Sequence, residues 1–483
     1  MTDDKFTAWL ADQSAIRVVL IEAVASVGGI DKTFYMSTKG GYNTGNGDVP
    51  PNEAYKPIAS VGVLYTEQLA LNTGSASLAA GDVNIQNHNG QRDDWLGYIW
   101  TNRPVRAYIG DPRWPRADFR LIFNGLAADL KPDGRNGLSL QLRDKMQRLN
   151  TPITDKKLGG ATPNKDALIP LSFGECHNVT PLLVDPATLR YKVHDGAIED
   201  VIEVRDNGVK IDATKDLAKG EFTLSSQSFG MVTASVQGDK ENGSYGLSVA
   251  QLVKRIVKGY GKATDAFTDA DIDLANFNAF DAANPQPLGR YVPERENVIA
   301  TCQALAGSVG AQLVMSRLGL LRLMRVDLPA PGVAAVVKQK HMVQGTLVPV
   351  DRTTVVGAVK IGFNKNYTVE AGLVTDIPEE HRALYAEEWL TTTKTDAATQ
   401  AAYKLDSEPT QEDTMLLRRI EADAEATRRL NLWKVPRTVY EFEGTPEMLM
   451  LELGQPLTVY HPRYGMKNGV TAMVVSLAPD WLN

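Results

Sequence analysis

Between Asp118 and Asp144 the chain reads DFRLIFNGLAADLKPDGRNGLSLQLRD, and this stretch restricts folding more tightly than any other. Leu138, Leu140 and Leu142 alternate with polar residues, so in an extended strand all three line one face. The turn PDGRNG folds that strand back on the apolar run before it, which makes an antiparallel pair. The same grammar governs the first third of the sequence. AIRVVLIEAVA (Ala15–Ala25) and KTFYMST (Lys32–Thr38) flank a Gly28-Gly29 turn, as in a hairpin. GGYNTGNGDVPPNEAY, ending at Tyr55, is a polar loop rich in Gly, Asn and Pro. IASVGVLYTEQLAL, VNIQNHNG and RPVRAYIGDP continue as short strands. So many strands with few helices predict a closed or nearly closed antiparallel barrel, the arrangement that removes exposed edges.

KLGGATPNKD marks a boundary near residue 160. Beyond it TLRYKVHD, VIEVRDNGVKI, GEFTLSS and MVTASV predict a smaller β unit with DNG at a hairpin turn. From Leu247 the period lengthens. Ser248 is placed to cap a helix in which Val249, Leu252, Val253, Ile256 and Val257 share a face. A second helix is expected over about Glu294–Ser308, then two strands across a Gly319 turn. Strands return in TTVVGAVKIGFNKNYTV, RTVYEFEG, QPLTVYHP and GVTAMVVSL, interrupted by a charged helix over QEDTMLLRRIEADAEATRRLNLW. Its acidic start and basic end suit the helix dipole. No solenoid repeat is present. The expected organisation is a β-barrel domain over 1–160, a small β domain over 161–245, an α+β domain over 246–340, and a second barrel domain with a charged helix over 341–483.

At 483 residues, 43% apolar and 23% charged, the chain has the composition of globular protein with several cores. Its net charge of −7 argues against a dedicated nucleic-acid binder, though an acidic wall would let DNA pass without sticking. Two cysteines, Cys176 and Cys302, are too few for a disulfide scaffold. MTDDKFTAWLADQ has neither the basic region nor the apolar core of a signal peptide, and RVVLIEAVASVGGI is too short to span a bilayer as a helix. A polypeptide without its own membrane anchor is therefore expected.

IPLSFGECHNVTPLLVD places Glu175, Cys176, His177 and Asn178 side by side, and raises the question of a thiol enzyme. Adjacent side chains in a strand point to opposite faces, so Cys176 and His177 are poorly placed as nucleophile and base. A small buried thiol beside a half-exposed imidazole is the plainer reading. The acceptor pattern NVT carries no weight without a secretory signal. His88, His177, His194, His341, His381 and His461 are scattered, with no i, i+4 pair, and EEHRALYAEEW lacks a second His. Asp269, Asp271 and Asp273 stand at calcium-loop spacing. Leu274 and Phe280, however, occupy the positions that need Gly and Glu, so a helix start or solvated loop is expected. STKGGYNTGNG has no Gly-Lys-Ser/Thr ending, and in NGSYG Asn242 stands where a nucleophile elbow needs Gly. Paired carboxylates for glycoside hydrolysis can always be found among 58 acidic residues, and nothing favours one pair. No catalytic, cofactor-binding or metal-ligating residue is expected.

FYMSTKGGYNTGNGDVPPNEAYKPIA, GDPRWPRADFRLIFNGLAADL, LSLQLRDKMQRLNTPI and IPLSFGECHNVTPLLVDPATLRYKVHDGAIEDVIEVRDNGVKI, in that order, resemble the N-terminal part of bacteriophage tail-tip and baseplate hub proteins. VKIGFNKNYTV and LELGQPLTVYHPRYGMKNGVTAMVVSL resemble the closing barrel of such hubs. The resemblance touches most of the chain and is weak over about 215–290. It implies a mainly β protein with α+β insertions, in which two hub-type antiparallel β-barrel domains are linked by smaller mixed domains. It also implies a structural virion protein, made in the host bacterial cytoplasm, that joins the tail tube to the distal tip or fibres. Self-association into a ring follows, as a homotrimer or a hexamer, with pairs of barrels matching sixfold to threefold symmetry. Further implied partners are a distal tail or tail-tube protein, a tape-measure protein and tip or fibre proteins, with DNA passing through unbound. The chain ends soon after its last strand, so receptor binding is expected to rest with another protein. Two cysteines also argue against the cysteine-ligated iron–sulfur cluster of some relatives. The alternatives are a peptidoglycan-degrading or other carbohydrate-active enzyme, and an adsorption protein that binds surface glycan. Protruding loops such as Lys39–Tyr55, and the aromatic residues Trp95, Trp100 and Trp114, are candidate contact surfaces, with ordinary core as the plainer reading for at least one of the tryptophans.

Overall fold

The computed structural model describes residues 2–71, 76–241, 243–329, 335–370 and 379–482. The protein is mainly β, with several antiparallel sheets and a few helices. It divides into two compact units, each built from separated stretches of sequence. One holds residues 1–147, 314–353 and 438–483, and the other holds 148–313 and 354–437.

In the first unit a helix α1 (Asp3–Ala11) precedes the strands β1 (Val18–Val27), β2 (Ile30–Ser37), β3 (Ala59–Val61), β4 (Asp82–Gln86), β5 (Pro104–Gly110), β6 (Arg120–Pro132) and β7 (Gly137–Arg143). They form one seven-stranded sheet in the order β2-β1-β5-β6-β7-β4-β3. Gly28 and Gly29, both with positive φ, make the β1–β2 turn with Val27 opposite Ile30. The alternation of β1 is strict: Val19, Ile21, Ala23 and Ala25 enter the main core with Phe123, Leu138, Leu140 and Trp100. Each fully buried Val, Ile or Leu among them contributes about 1.5–3 kcal/mol. The sheet curls enough for its two margins to touch, since Met36 of β2 bridges Lys56 three residues before β3. It is a half-barrel rather than a closed one, because β2 and β3 share no ladder. The later stretches of this unit add small sheets: Val336–Lys338, Pro456–Tyr460 and Val470–Met473 form one, and Ser476–Leu477 joins Tyr65–Gln68 and Ser77–Ala80 in another. Among the described residues none of these sheets closes into a barrel.

The second unit is built on β8 (Leu171–Val179), β9 (Ile198–Asp206), β10 (Val209–Ile211), β11 (Val232–Glu241) and β12 (Gly289–Val292), in the order β10-β9-β11-β8-β12, with Ser244–Tyr245 added to β11. The segment that holds Cys176 and His177 is thus an interior strand. β8 pairs with β12 through Leu171–Gly174 and with β11 from Glu175 onward. Both of its edges are therefore paired. Asn207 and Gly208, both at positive φ, form the DNG turn between β9 and β10. Helix α2 (Val249–Gly259) buries Val249, Leu252, Val253, Ile256 and Val257 as expected, and the Ser248 side chain accepts from Gln251 N. Next come α3 (Leu274–Ala283) and α4 (Val298–Ser308); the latter begins four residues later than its sequence indicated.

The charged helix also starts later. β13 (Ala358–Phe363) and β14 (Leu390–Thr395) are antiparallel, and β15 (Gln411–Asp413) lies parallel to β13. The acidic residues of QED are therefore strand, and helix α5 spans Arg419–Trp433 behind an Arg418 N-cap. Glu421 stands in its first turn but its last turn carries no cation, so only the acidic half of the expected match to the helix dipole is made. Glu425, buried, draws Arg428 and Arg429 into ion pairs at 2.7 Å.

Candidate functional site

Cys176 and His177 fall on opposite faces of β8. Cys176 is buried, donates weakly to Phe173 O at 3.6 Å, and burial pushes its thiol far above the usual range. His177 faces the other way and pairs with Glu175 at 3.2 Å. The His177 hydrogen bond holds the Glu175 carboxyl below its ordinary value. No base reaches the sulfur, so the pair cannot generate a thiolate nucleophile.

A more enzyme-like set of residues, Ser172, His194 and Asp239, is brought together from β8, the loop after Lys192, and β11. The His194 ring lies fully buried, and its Nε2 is 3.2 Å from Asp239 Oδ1. Tyr260 OH and Arg255 Nε each donate to the same carboxylate at 2.6 Å. Burial alone would raise the Asp239 carboxyl; hydrogen bonds from His194, Tyr260 and Arg255 outweigh it and hold the group below its usual value. Tyr260 is pushed far up, by burial first and the adjacent Asp239 second. Yet Ser172 Oγ donates to Val193 O at 2.7 Å, and it is Ser172 N that meets His194 Nδ1, at 3.1 Å. A nucleophilic serine needs its hydroxyl on the imidazole. This network therefore ties β8, β11 and the end of α2 together. Its members are spread from 172 to 260 with no local spacing, so only the fold reveals them.

The other sequence candidates also have structural partners. Asp271 forms a capping box with Thr268 and pairs with Arg148 at 3.3 Å. Asp273 caps α3, accepting from Asn276 N at 3.0 Å. Asn242 and the His381 side chain lie outside the described residues. Among the described residues no group of three or more His, Cys, Asp or Glu is placed to hold a metal, and no helix is long and apolar enough to cross a membrane. Trp100 belongs to the core, donating to Trp95 O at 2.9 Å, whereas Trp95 and Trp114 are half-buried at its margin.

What remains is a built surface in the first unit. The outward residues of β1 are Val18, Leu20 and Glu22, and the Lys39–Tyr55 loop covers them. Tyr42 and Tyr55 pack with Val18, Leu20 and Phe119 in a second, small core. Glu22 anchors the arrangement: Tyr55 OH donates to its Oε1 at 2.6 Å and Arg116 Nη2 at 2.8 Å. The Arg116 guanidinium also lies 3.7 Å from the Tyr108 ring centroid. Burial, followed by the Glu22 bond, pushes the Tyr55 phenol far above its usual range. Within the loop Thr44 N donates to Glu53 O at 2.9 Å, and Glu53 N to Thr44 Oγ1 at 2.7 Å. Asp48 accepts from Gly45 N at 2.7 Å and from Arg116 N at 3.2 Å. A polar segment is thereby fixed as a lobe. Between the lobe and Pro112 opens a concave depression of about 410 Å³, lined by Gly40, Gly41, Tyr42, Tyr55 and Pro57 among others. Lys56, Asn43 and Pro112 also line it.

No protein-family model matches the chain. No curated protein matches it. Among solved structures it is similar to a tail protein from Neisseria meningitidis MC58, with 10% identity and a TM-score of 0.36, over 95% of this chain and 90% of that one. It is also similar to the 43 kDa tail protein of prophage MuSo2 from Shewanella oneidensis, with 12% identity and a TM-score of 0.34, over 95% and 93%. A third similarity is to prophage tail protein gp18 from Listeria monocytogenes EGD-e, with 8% identity and a TM-score of 0.33, over 95% and 89%.

Proposed function

We propose that this chain is a structural protein of a phage or prophage-derived tail, placed at the tip or baseplate hub, where it self-associates into a ring around the DNA exit path. The observation that carries the reading is the Lys39–Tyr55 lobe. It lies in the sequence run that resembles hub proteins, and the half-buried Glu22, with the buried Arg116 and Tyr55, holds it over the half-barrel. Such anchoring of a loop suits a surface whose shape must be kept for a neighbour. In this role the tail-tube side and the tip or fibre side contact different faces of the ring, and the net charge of −7 keeps DNA from adhering.

The test is location in the particle. Gold-labelled antibody against the chain, applied to purified tails of the phage that encodes it, is expected to mark the distal end of each tail. Tails that are complete and unlabelled at that end would refute the assignment.

A further inference from the structure

The tip of the Lys39–Tyr55 lobe holds an Asn-Gly pair whose surroundings differ from those of the other described Asn-Gly pairs. Asp48 N donates to Gly45 O at 3.2 Å, so Asn46 and Gly47 are the two central residues of a β-turn. Both are exposed, and the bond that closes the turn leaves Gly47 N to solvent; among the described residues no group accepts from it. Elsewhere the same dipeptide is closed off. Gly90 N donates to Asn87 O at 3.2 Å, and Gly469 N to Met466 O at 3.1 Å. Gly125 and Gly137 stand in the β6 and β7 ladders, opposite Val105 and Gln86. Gly208 is buried, and the side chain of Asn207 is pinned by Met231 N, which donates to its Oδ1 at 3.0 Å.

We infer that Asn46 is a site of spontaneous deamidation, a covalent modification by which the lobe ages. Gly47 N gives its proton to solvent base and attacks Asn46 Cγ, and glycine has no Cβ to obstruct the approach. As the N–Cγ bond forms, the Cγ–Nδ2 bond breaks and the amide nitrogen leaves as ammonia, closing a succinimide ring. Water then adds to one of the two ring carbonyls and opens the ring, which leaves aspartate or isoaspartate at position 46. No group is oxidised or reduced. The site depends on the turn alone, wherever the chain sits in a particle.

The consequence falls on the ties of the lobe. Gly45 O accepts from Asp48 N and from Asn52 N, each at 3.2 Å. The Asp48 carboxylate accepts from Gly45 N at 2.7 Å and from Arg116 N at 3.2 Å. These bonds close around the two residues that react. Isoaspartate adds a main-chain carbon inside that closure, and either product adds a carboxylate two residues from Asp48. The turn opens and the lobe loosens from Arg116.

A Cβ at Gly47 would meet nothing within 4 Å, and Gly47 is not at positive φ, so Gly47→Ala keeps the turn while its methyl group hinders ring closure. The purified chain, Gly47→Ala and Asn46→Gln are incubated for weeks in mildly alkaline buffer. Peptide mass spectrometry with enzymatic methylation of isoaspartate then reads each position. Native wild type is expected to convert Asn46 about tenfold faster than Asn89 or Asn468 of the same molecule, and about tenfold faster than Gly47→Ala converts it. In denaturant, Asn89 and Asn468 should convert as fast as Asn46. Hydrogen exchange of the Asp48 and Asn52 amides should quicken in aged wild type and stay unchanged in aged Gly47→Ala. Asn46 that persists, or that converts no faster than Asn89 and Asn468 in the native chain, would overturn the site. Asn89 and Asn468 that stay slow in denaturant would overturn its selection by the fold. Conversion without faster exchange would overturn the loosening.

Discussion

Glu22 shows what single residues decide in this protein. Its place on the outward face of β1 follows from alternation and can be read from VVLIEAVASV, as can the burial of Leu138, Leu140 and Leu142. Its purpose cannot be read there, because Arg116 lies 94 residues away and meets it only in the fold. Replacing Arg116 with Met leaves that half-buried carboxylate with Tyr55 alone, which costs about 2–3 kcal/mol, below the range for a fully buried pair. The measurement is the chemical-denaturation midpoint, with Glu22→Gln expected to be milder. Cys176 illustrates the opposite case. Its neighbours His177 and Asn178 suggest chemistry, yet burial and strand geometry leave it inert. Cys176→Ser is expected to cost about 1–3 kcal/mol, since a buried hydroxyl replaces a weakly bonded thiol, and to leave assembly intact. Thiol titration of the native wild type at pH 8 should find neither cysteine reactive, because burial raises both.

At the scale of elements, helix α2 was fully legible, because a cap and a 3.6-residue apolar period are local signals. Ser248→Ala should lower stability by about 1 kcal/mol through loss of the bond to Gln251 N. The strand Gln411–Asp413 was not legible, since its acidic residues fit a helix start until the parallel pairing with β13 decides otherwise. The role of β8 was hidden for the same reason: side chains do not state whether both edges of a strand will be paired. The Ser172–His194–Asp239 network that fixes β8 has a signature in acid. The Asp239 pKa is lowered in the folded state, so its contribution to stability is fully present above the unfolded value of about 3.9 and is lost as pH falls through and below it. Asp239→Asn should therefore lower stability at pH 7 and flatten the acid limb of the stability curve. An acid limb as steep as that of the wild type would remove Asp239 from this account.

Across the whole molecule, the two units interleave in sequence: residues 341–353 and 438–483 belong with the N-terminal half-barrel, and 354–437 with the other unit. Local patterns found the strands of these stretches but not their partners, because a ladder such as that of Ser476 with Gln68 joins distant parts of the chain and leaves no periodic trace. The candidate surface was legible only in part. GGYNTGNGDVPPNEAY announces a loop, whereas its conversion into a rigid lobe depends on Arg116 and Phe119, from a different connection. The proposal that this lobe belongs to a ring-forming tail structure is tested most directly by electron microscopy of the purified chain. Threefold or sixfold rings with a central opening are expected. A compact monomer that persists at high protein concentration would contradict the claim.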